Sequence, residues 1–263
     1  VSVILEGKTV VVSGVGPGLG REVAACALRD GARVAIAART KEKLETIAKE
    51  LDPSGERVLA RPADIADFAS CEALMAAAAD RFGGVDAVVN VAALDAIFGT
   101  LESTSDDDWR RSMEMNVLGT MHVARSAVPH LEARGGGSIV LIGSQAMWLP
   151  PKMPQMAYGA AKGAILSAMY PMANELGPKK IRVNMVIPTW MWGPPVQLYV
   201  AWQAKERGVS EEEIKGEITA NMALGEIPAD EDVAEAVVFF CSDRSRMITG
   251  ETLMVNAGEL YRD

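Results

Sequence analysis

The most specific chemistry in the chain lies in two residues one helical turn apart, Tyr158 and Lys162. A Tyr-x-x-x-Lys spacing puts both side chains on one helix face. An ordinary phenol, with a pKa of about 10, is a poor acid–base group at neutral pH. A nearby ammonium favours phenolate and draws that pKa towards the working range. The pair therefore reads as a proton-moving tyrosine tuned by a lysine. Ser144 stands upstream at the end of an apolar run, and Asn116 lies within a long helical pattern. A second constellation is the turn Ser13-Gly14-Val15-Gly16-Pro17-Gly18-Leu19-Gly20, set between a valine-rich run and a helical stretch. Glycines permit close backbone approach, and a helix start offers unpaired N–H groups to a phosphate. After the first strand of an α/β chain, such a turn reads as a dinucleotide site.

The elements that must position these groups alternate strand and helix. Apolar runs at Thr9–Ser13, Ala32–Ala38, Arg57–Arg61, Val85–Val91, Ser138–Gly143, Ile181–Ile187 and Leu253–Asn256 read as strands. Helical patterns cover Leu19–Asp30, Lys41–Leu51, Asp67–Phe82, Asp107–Arg134, Met156–Leu176 and Asp230–Cys241. Strands that are apolar almost throughout belong in a parallel sheet covered on both faces. The expected fold is a doubly wound α/β Rossmann fold, with a seven-stranded, mostly parallel sheet and helices on both faces. No composition break divides residues 1–263, so one dinucleotide-binding domain is expected. Residues 189–225, with Pro194, Pro195 and amphipathic pieces at Val196–Arg207 and Ser210–Met222, read as a substrate lid.

From Gly7 to Gly258 the sequence resembles the short-chain dehydrogenase/reductase family, in its compact single-domain branch. The resemblance rests on Gly14-x-x-x-Gly18-x-Gly20, Asp64-Ile65, Asn90-Val91-Ala92-Ala93, Met115-Asn116-Val117 and Ser144. It also rests on Tyr158-x-x-x-Lys162, Asn184-Met185-Val186-Ile187-Pro188 and the ending Val255-Asn256-Ala257-Gly258. It implies that Tyr158 exchanges a proton with the substrate oxygen and that Ser144 hydrogen-bonds that oxygen. Lys162 would lower the Tyr158 pKa and hold the nicotinamide ribose, and Asn116 would hold a water in a relay with Lys162. Cofactor contacts are implied for Ser13, Gly14, Gly16, Gly18, Leu19, Gly20, Arg39, Thr40, Asp64, Ile65, Asn90, Ala92, Tyr158, Lys162, Pro188, Thr189 and Met191. Four departures stand out. Val91 and Ala93 replace an Asn and a Gly, Thr189 replaces a Gly after Pro188, and Gly193 stands where many relatives have a carboxamide-binding Thr. A homotetramer is also implied by the resemblance.

Cofactor choice turns on the end of the second strand. An acidic residue there would bind the adenine ribose and select NAD. Ala38 stands in that place, followed by Arg39 and Thr40. The missing carboxylate and the guanidinium fork of Arg39 favour NADP, with NAD as the less favoured cofactor. Met147, Trp148, Trp190 and Trp192 flank the presumed chemistry and suggest a bulky apolar or aromatic alcohol or ketone beside Ser144 and Tyr158.

Composition bounds the alternatives. The chain has 263 residues, 49% hydrophobic and 23% charged, with a formal net charge of −9. That balance suits a globular core and disfavours nucleic acid as a partner. His122 and His130 are the two histidines, which removes metal and Ser-His-Asp sites. Cys26, Cys71 and Cys241 are widely spaced and give no disulfide or zinc framework. The opening Val1-Ser2-Val3-Ile4 lacks the pattern of a secretory signal, and no run is long enough to span a membrane. A cytoplasmic setting is expected. Hydrolysis at Ser144 lacks a Gly-x-Ser-x-Gly elbow. A non-catalytic dinucleotide sensor or interaction protein on the same fold is the alternative to an enzyme. The four-residue Tyr–Lys gap also differs from the longer gap typical of enoyl reductases.

Overall fold

The computed structural model describes residues 3–151 and 153–261. Val1 and Ser2, which begin the segment read above for a signal sequence, lie outside them. Seven strands form one sheet: β1 (Thr9–Ser13), β2 (Arg33–Ala37), β3 (Val58–Ala60), β4 (Ala87–Asn90), β5 (Gly137–Ile142), β6 (Ile181–Pro188) and β7 (Thr252–Val255). Their order is β3-β2-β1-β4-β5-β6-β7, and every pairing is parallel. The helices are α1 (Leu19–Arg29), α2 (Lys41–Leu51), α3 (Phe68–Phe82), α4 (Asp106–Ser112), α5 (Gly119–Ala133), α6 (Met156–Leu176), α7 (Pro194–Arg207), α8 (Glu211–Thr219) and α9 (Asp230–Cys241).

Each central strand serves two cores. Val10 and Val12 of β1 pack with α1 and α9 on one face, while Val11 packs with α3, α5 and α6 on the other. Successive side chains of a strand point to opposite faces, so a strand covered on both sides must be apolar at every position. That is why the strands are legible as unbroken Val/Ile/Ala runs. The order reverses between β1 and β4, and the ends Ser13, Ala37 and Asn90 lie level in register. A crevice at the carboxyl ends of the strands at this switch point is where such sheets take ligands.

The helical pattern Asp107–Arg134 is interrupted. Between α4 and α5, residues Met113–Leu118 form a π-helical stretch that contains Asn116. Such wide turns are concentrated at functional sites. The segment read as a lid is two helices, α7 and α8, around a small core of Val200, Ala204, Ile214, Ile218 and Met222.

Candidate active site

A cleft of about 930 Å³ opens at the carboxyl edge of the sheet. Its lining includes Ser13, Gly14, Gly16, Gly18, Leu19, Gly20, Arg39, Asp64, Ile65 and Ala92 among the expected cofactor residues. The glycine turn is shaped by contact with the β4 loop. Gly14 has φ +82°, and a methyl group there would collide with the Ala92 nitrogen. At Gly16, by contrast, a methyl group would meet nothing within 4 Å. One glycine thus lets two loops touch, and the other leaves room in the cleft. Gly18 caps α1 without a side-chain hydrogen bond; Arg21 N donates to the Gly18 carbonyl (2.9 Å), and the Leu19 and Gly20 N–H groups are available to an anion. The Asp64 carboxylate accepts from Ala66 N (3.0 Å), which fixes it at the cleft wall. Arg39 is exposed and forms no ion pair among the described residues. These features fit a dinucleotide.

The remaining expected cofactor residues do not line this cleft. Thr40 is the exposed cap of α2. Asn90 lies beneath it in a buried chain of hydrogen bonds. Ser13 Oγ donates to Asn90 Oδ1 (2.5 Å), Asn90 Nδ2 to Thr120 Oγ1 (2.8 Å), and Thr120 Oγ1 to the Asn116 carbonyl (2.5 Å). Pro188 is buried at the end of β6, and Met191 packs against the core beside α1 and α9. Thr189 donates its hydroxyl to the Glu259 carboxylate, which also accepts from Gln145 Nε2 (2.8 Å).

Ser144, Tyr158 and Lys162 come together beyond β5. Ser144 caps the short turn Gln145–Met147 by accepting from Ala146 N (3.2 Å) and is a hydrogen-bonding neighbour of the Tyr158 phenol. Lys162 is buried, donates to the Ile142 carbonyl (2.7 Å), and holds its Nζ 5.6 Å from the centre of the Tyr158 ring. Burial pushes the Tyr158 phenol up to about 12; the Ser144 hydrogen bond opposes this and the Asp95 charge adds to it. Lys162 stands beside the ring. Its own pKa is brought down to about 8 by burial, against an upward pull from Asp95. Desolvation penalises the charged form of both groups, so the phenol is held protonated.

Asn116 is buried in the π-helical stretch. Its Oδ1 accepts from Leu94 N (2.8 Å), and its Nδ2 donates to Leu94 O (3.0 Å) and Ser112 Oγ (3.2 Å). The side-chain amide thus braces the loop after β4. That loop is stitched on its far side to the start of α6, where Gln155 Nε2 donates to the Asp95 carbonyl (2.6 Å). Asp95 is thereby held at the cleft wall. Its charge reaches Tyr158 and Lys162 through tertiary structure, and no sequence spacing announces it. The altered loop Val91–Ala93 needs no left-handed residue: the positive-φ non-glycines among the described residues are Lys180 and Ala257.

The aromatic residues expected around the substrate pack largely within the protein. Trp190 stacks near Tyr199, with ring centres 5.2 Å apart, and Trp192 carries Lys215 over its face at 4.6 Å. Both belong to the α7–α8 core. Met147 and Trp148 pack against the core beneath α6. Gly193 has a direct explanation: a methyl group there would collide with the Asp230 carboxylate. A threonine in its place requires the Asp230 side chain to move.

Comparison with known proteins follows the same lines. A family model described as Enoyl-(Acyl carrier protein) reductase matches residues 14–259. An uncharacterized oxidoreductase of Methylorubrum extorquens is 32% identical, over 97% of this chain and 98% of that protein. The 2,3-dihydro-2,3-dihydroxybenzoate dehydrogenase of Bacillus subtilis is 30% identical, over 97% of this chain and 96% of that protein. A short-chain dehydrogenase/reductase structure from Mycobacterium ulcerans superposes with a TM-score of 0.87 at 29% identity, covering 98% of this chain and 91% of that one. Likeness in both sequence and fold over nearly the whole length makes this chain a member of the short-chain dehydrogenase/reductase family.

Proposed function

We propose that the protein is an NAD(P)-dependent alcohol dehydrogenase or ketoreductase that interconverts a secondary alcohol and a ketone. The observation that carries this reading is the meeting of Ser144, Tyr158 and buried Lys162 within reach of Asp95, a residue of the glycine-lined cleft wall. A bound nicotinamide supplies or accepts the hydride at the carbon of the reacting C–O group. Tyr158 moves the proton at its oxygen, and its high pKa keeps the phenol a donor for ketone reduction across the neutral range. Ser144 holds the same oxygen. Lys162, with its pKa near 8, sits beside Tyr158 as the group that returns a proton and holds the ribose. Asn116 keeps the Leu94–Asp95 wall in place.

NADP is the favoured cofactor, because Ala38 stands where a carboxylate would exclude a 2′-phosphate and Arg39 beside it presents an exposed guanidinium. The apolar substrate preference rests on Leu94, Met115 and Leu198 along the cleft rather than on Trp190 and Trp192. The α7–α8 hairpin is the lid over this space, and a cytoplasmic homotetramer is the expected assembly. Enoyl reduction, the activity in the family model's description, is disfavoured by the four-residue Tyr158–Lys162 gap.

The test is turnover of a panel of apolar ketones with NADPH and with NADH, in the wild type and in Tyr158→Phe. The expected result is a preference for NADPH and loss of nearly all turnover in Tyr158→Phe, with cofactor binding retained. Unchanged turnover in Tyr158→Phe overturns the mechanism, and a clear NADH preference overturns the role of Arg39. Dinucleotide binding without turnover of any substrate favours the sensor reading.

A further inference from the structure

A polar cluster behind Ser144 takes no part in the proposed reaction. Gln145, the residue after Ser144, is 4% exposed, and both ends of its side-chain amide are held. Its Nε2 donates to Glu259 Oε2 (2.8 Å), and its Oε1 accepts from Asn256 Nδ2 (2.8 Å). The same Glu259 oxygen accepts from the Thr189 hydroxyl. One half-buried carboxylate therefore ties the loops that follow β5 and β6 to the segment that follows β7.

That segment is anchored independently of Glu259's side chain. Asn256 Oδ1 accepts from Gly258 N (3.0 Å), Asn256 Nδ2 also donates to the Leu260 carbonyl (2.8 Å), and Glu259 N donates to the Asn256 carbonyl (2.9 Å). Leu224 N, beyond α8, donates to the Ala257 carbonyl (3.0 Å). Ser144, in contrast, caps a turn of three residues, Gln145–Met147. So short a turn has little stability of its own. Met147 and Trp148 fix one side of it to the core, and the Gln145 amide fixes the other to Glu259 and Asn256.

We infer that Glu259 is a positioning residue for the reaction: through Gln145 it fixes the turn that presents the Ser144 hydroxyl to the substrate oxygen. The inference rests on the reading of Ser144 and Tyr158 as the groups that meet that oxygen. Its physical basis is that a buried amide which loses its acceptor is left unsatisfied or must move. A displacement of about 1 Å at a group that holds a reacting atom costs up to a hundredfold in rate.

The experiment is steady-state reduction of an apolar ketone at saturating NADPH, in paired variants of the whole chain. Glu259→Leu is expected to lower kcat about tenfold or more with little change in the ketone KM, because the Ser144 hydrogen bond strengthens as charge develops on the oxygen. Glu259→Gln keeps an acceptor for both donors and stays within about threefold of the wild type. Gln145→Glu sets two carboxylates face to face and falls as far as Glu259→Leu. Adding Glu259→Gln to Gln145→Glu restores a donor and an acceptor, and turnover recovers. In a Ser144→Ala background, Glu259→Leu lowers kcat no further, since the hydroxyl it positions is gone. A wild-type kcat in Glu259→Leu overturns the proposal, as does a swapped pair no better than Gln145→Glu alone, or losses that multiply in the Ser144→Ala background. If Glu259→Leu fails to fold, the swapped pair and Gln145→Glu in the Ser144→Ala background decide. Full turnover in Ser144→Ala alone refutes the reading of Ser144, and the proposal with it; that result is distinguishable because it appears with Glu259 intact.

Discussion

Replacing Lys162 with Met separates what the site needs from what the fold prefers. Lys162 is buried, and its pKa falls from 10.5 to about 8. That lowering corresponds to about 3 kcal/mol against the charged native state. The sign follows from linkage. Below pH 8 the ammonium is present in both states and the whole penalty acts on the folded one. Between pH 8 and 10.5 the unfolded chain binds more protons, so wild-type stability rises with pH and the penalty disappears. Methionine removes the charge with little change in shape, but leaves the Ile142 carbonyl without its 2.7 Å donor, at about 1 kcal/mol. The net expectation is that Lys162→Met is more stable than the wild type by about 2 kcal/mol at pH 7. That advantage is lost near pH 10, and ketone reduction is abolished. Urea denaturation followed by circular dichroism, at matched protein concentration and several pH values, measures it. A variant that is less stable at pH 7, or equally advantaged at pH 7 and pH 10, refutes the reasoning that burial sets the lysine's charge.

Asp95 raises the pKa of both Tyr158 and Lys162. Asp95→Asn therefore moves the alkaline limb of the pH–rate profile for ketone reduction to lower pH, by a few tenths to about one unit; a limb that stays or moves upward shows that Asp95 does not act on the pair. Gly14→Ala sets a side chain at φ +82° against the Ala92 backbone. It should cost about 3 kcal/mol or more and disrupt dinucleotide binding; a native-like denaturation midpoint with full NADPH affinity contradicts the close contact.

The parts of this protein legible in the chain are those governed by short-range rules. The seven strands read correctly because burial on both faces demands apolar residues at consecutive positions, as in Val10, Val11 and Val12. The helices Lys41–Leu51 and Met156–Leu176 were legible to the residue from periodicity. Tyr158 and Lys162 could be paired because four residues make one helical turn. The π-helical stretch around Asn116 was not legible, since the long pattern keeps a helical composition and the extra residue per turn answers to the loop it braces.

Sequence by itself determined the doubly wound sheet, the phosphate-ready turn and the candidate acid–base pair, because each depends on neighbours along the chain. Tertiary structure decided that both members of that pair are buried, which penalises the charged form of each. It also decided that Asp95 acts on the pair, that Thr189 turns to Glu259, and that the Asp230 side chain abuts Gly193. The physical reason is the same in each case. Desolvation and close approach depend on which distant segments meet, and residues such as Gly193 and Asp230, 37 positions apart, carry no local mark of their contact.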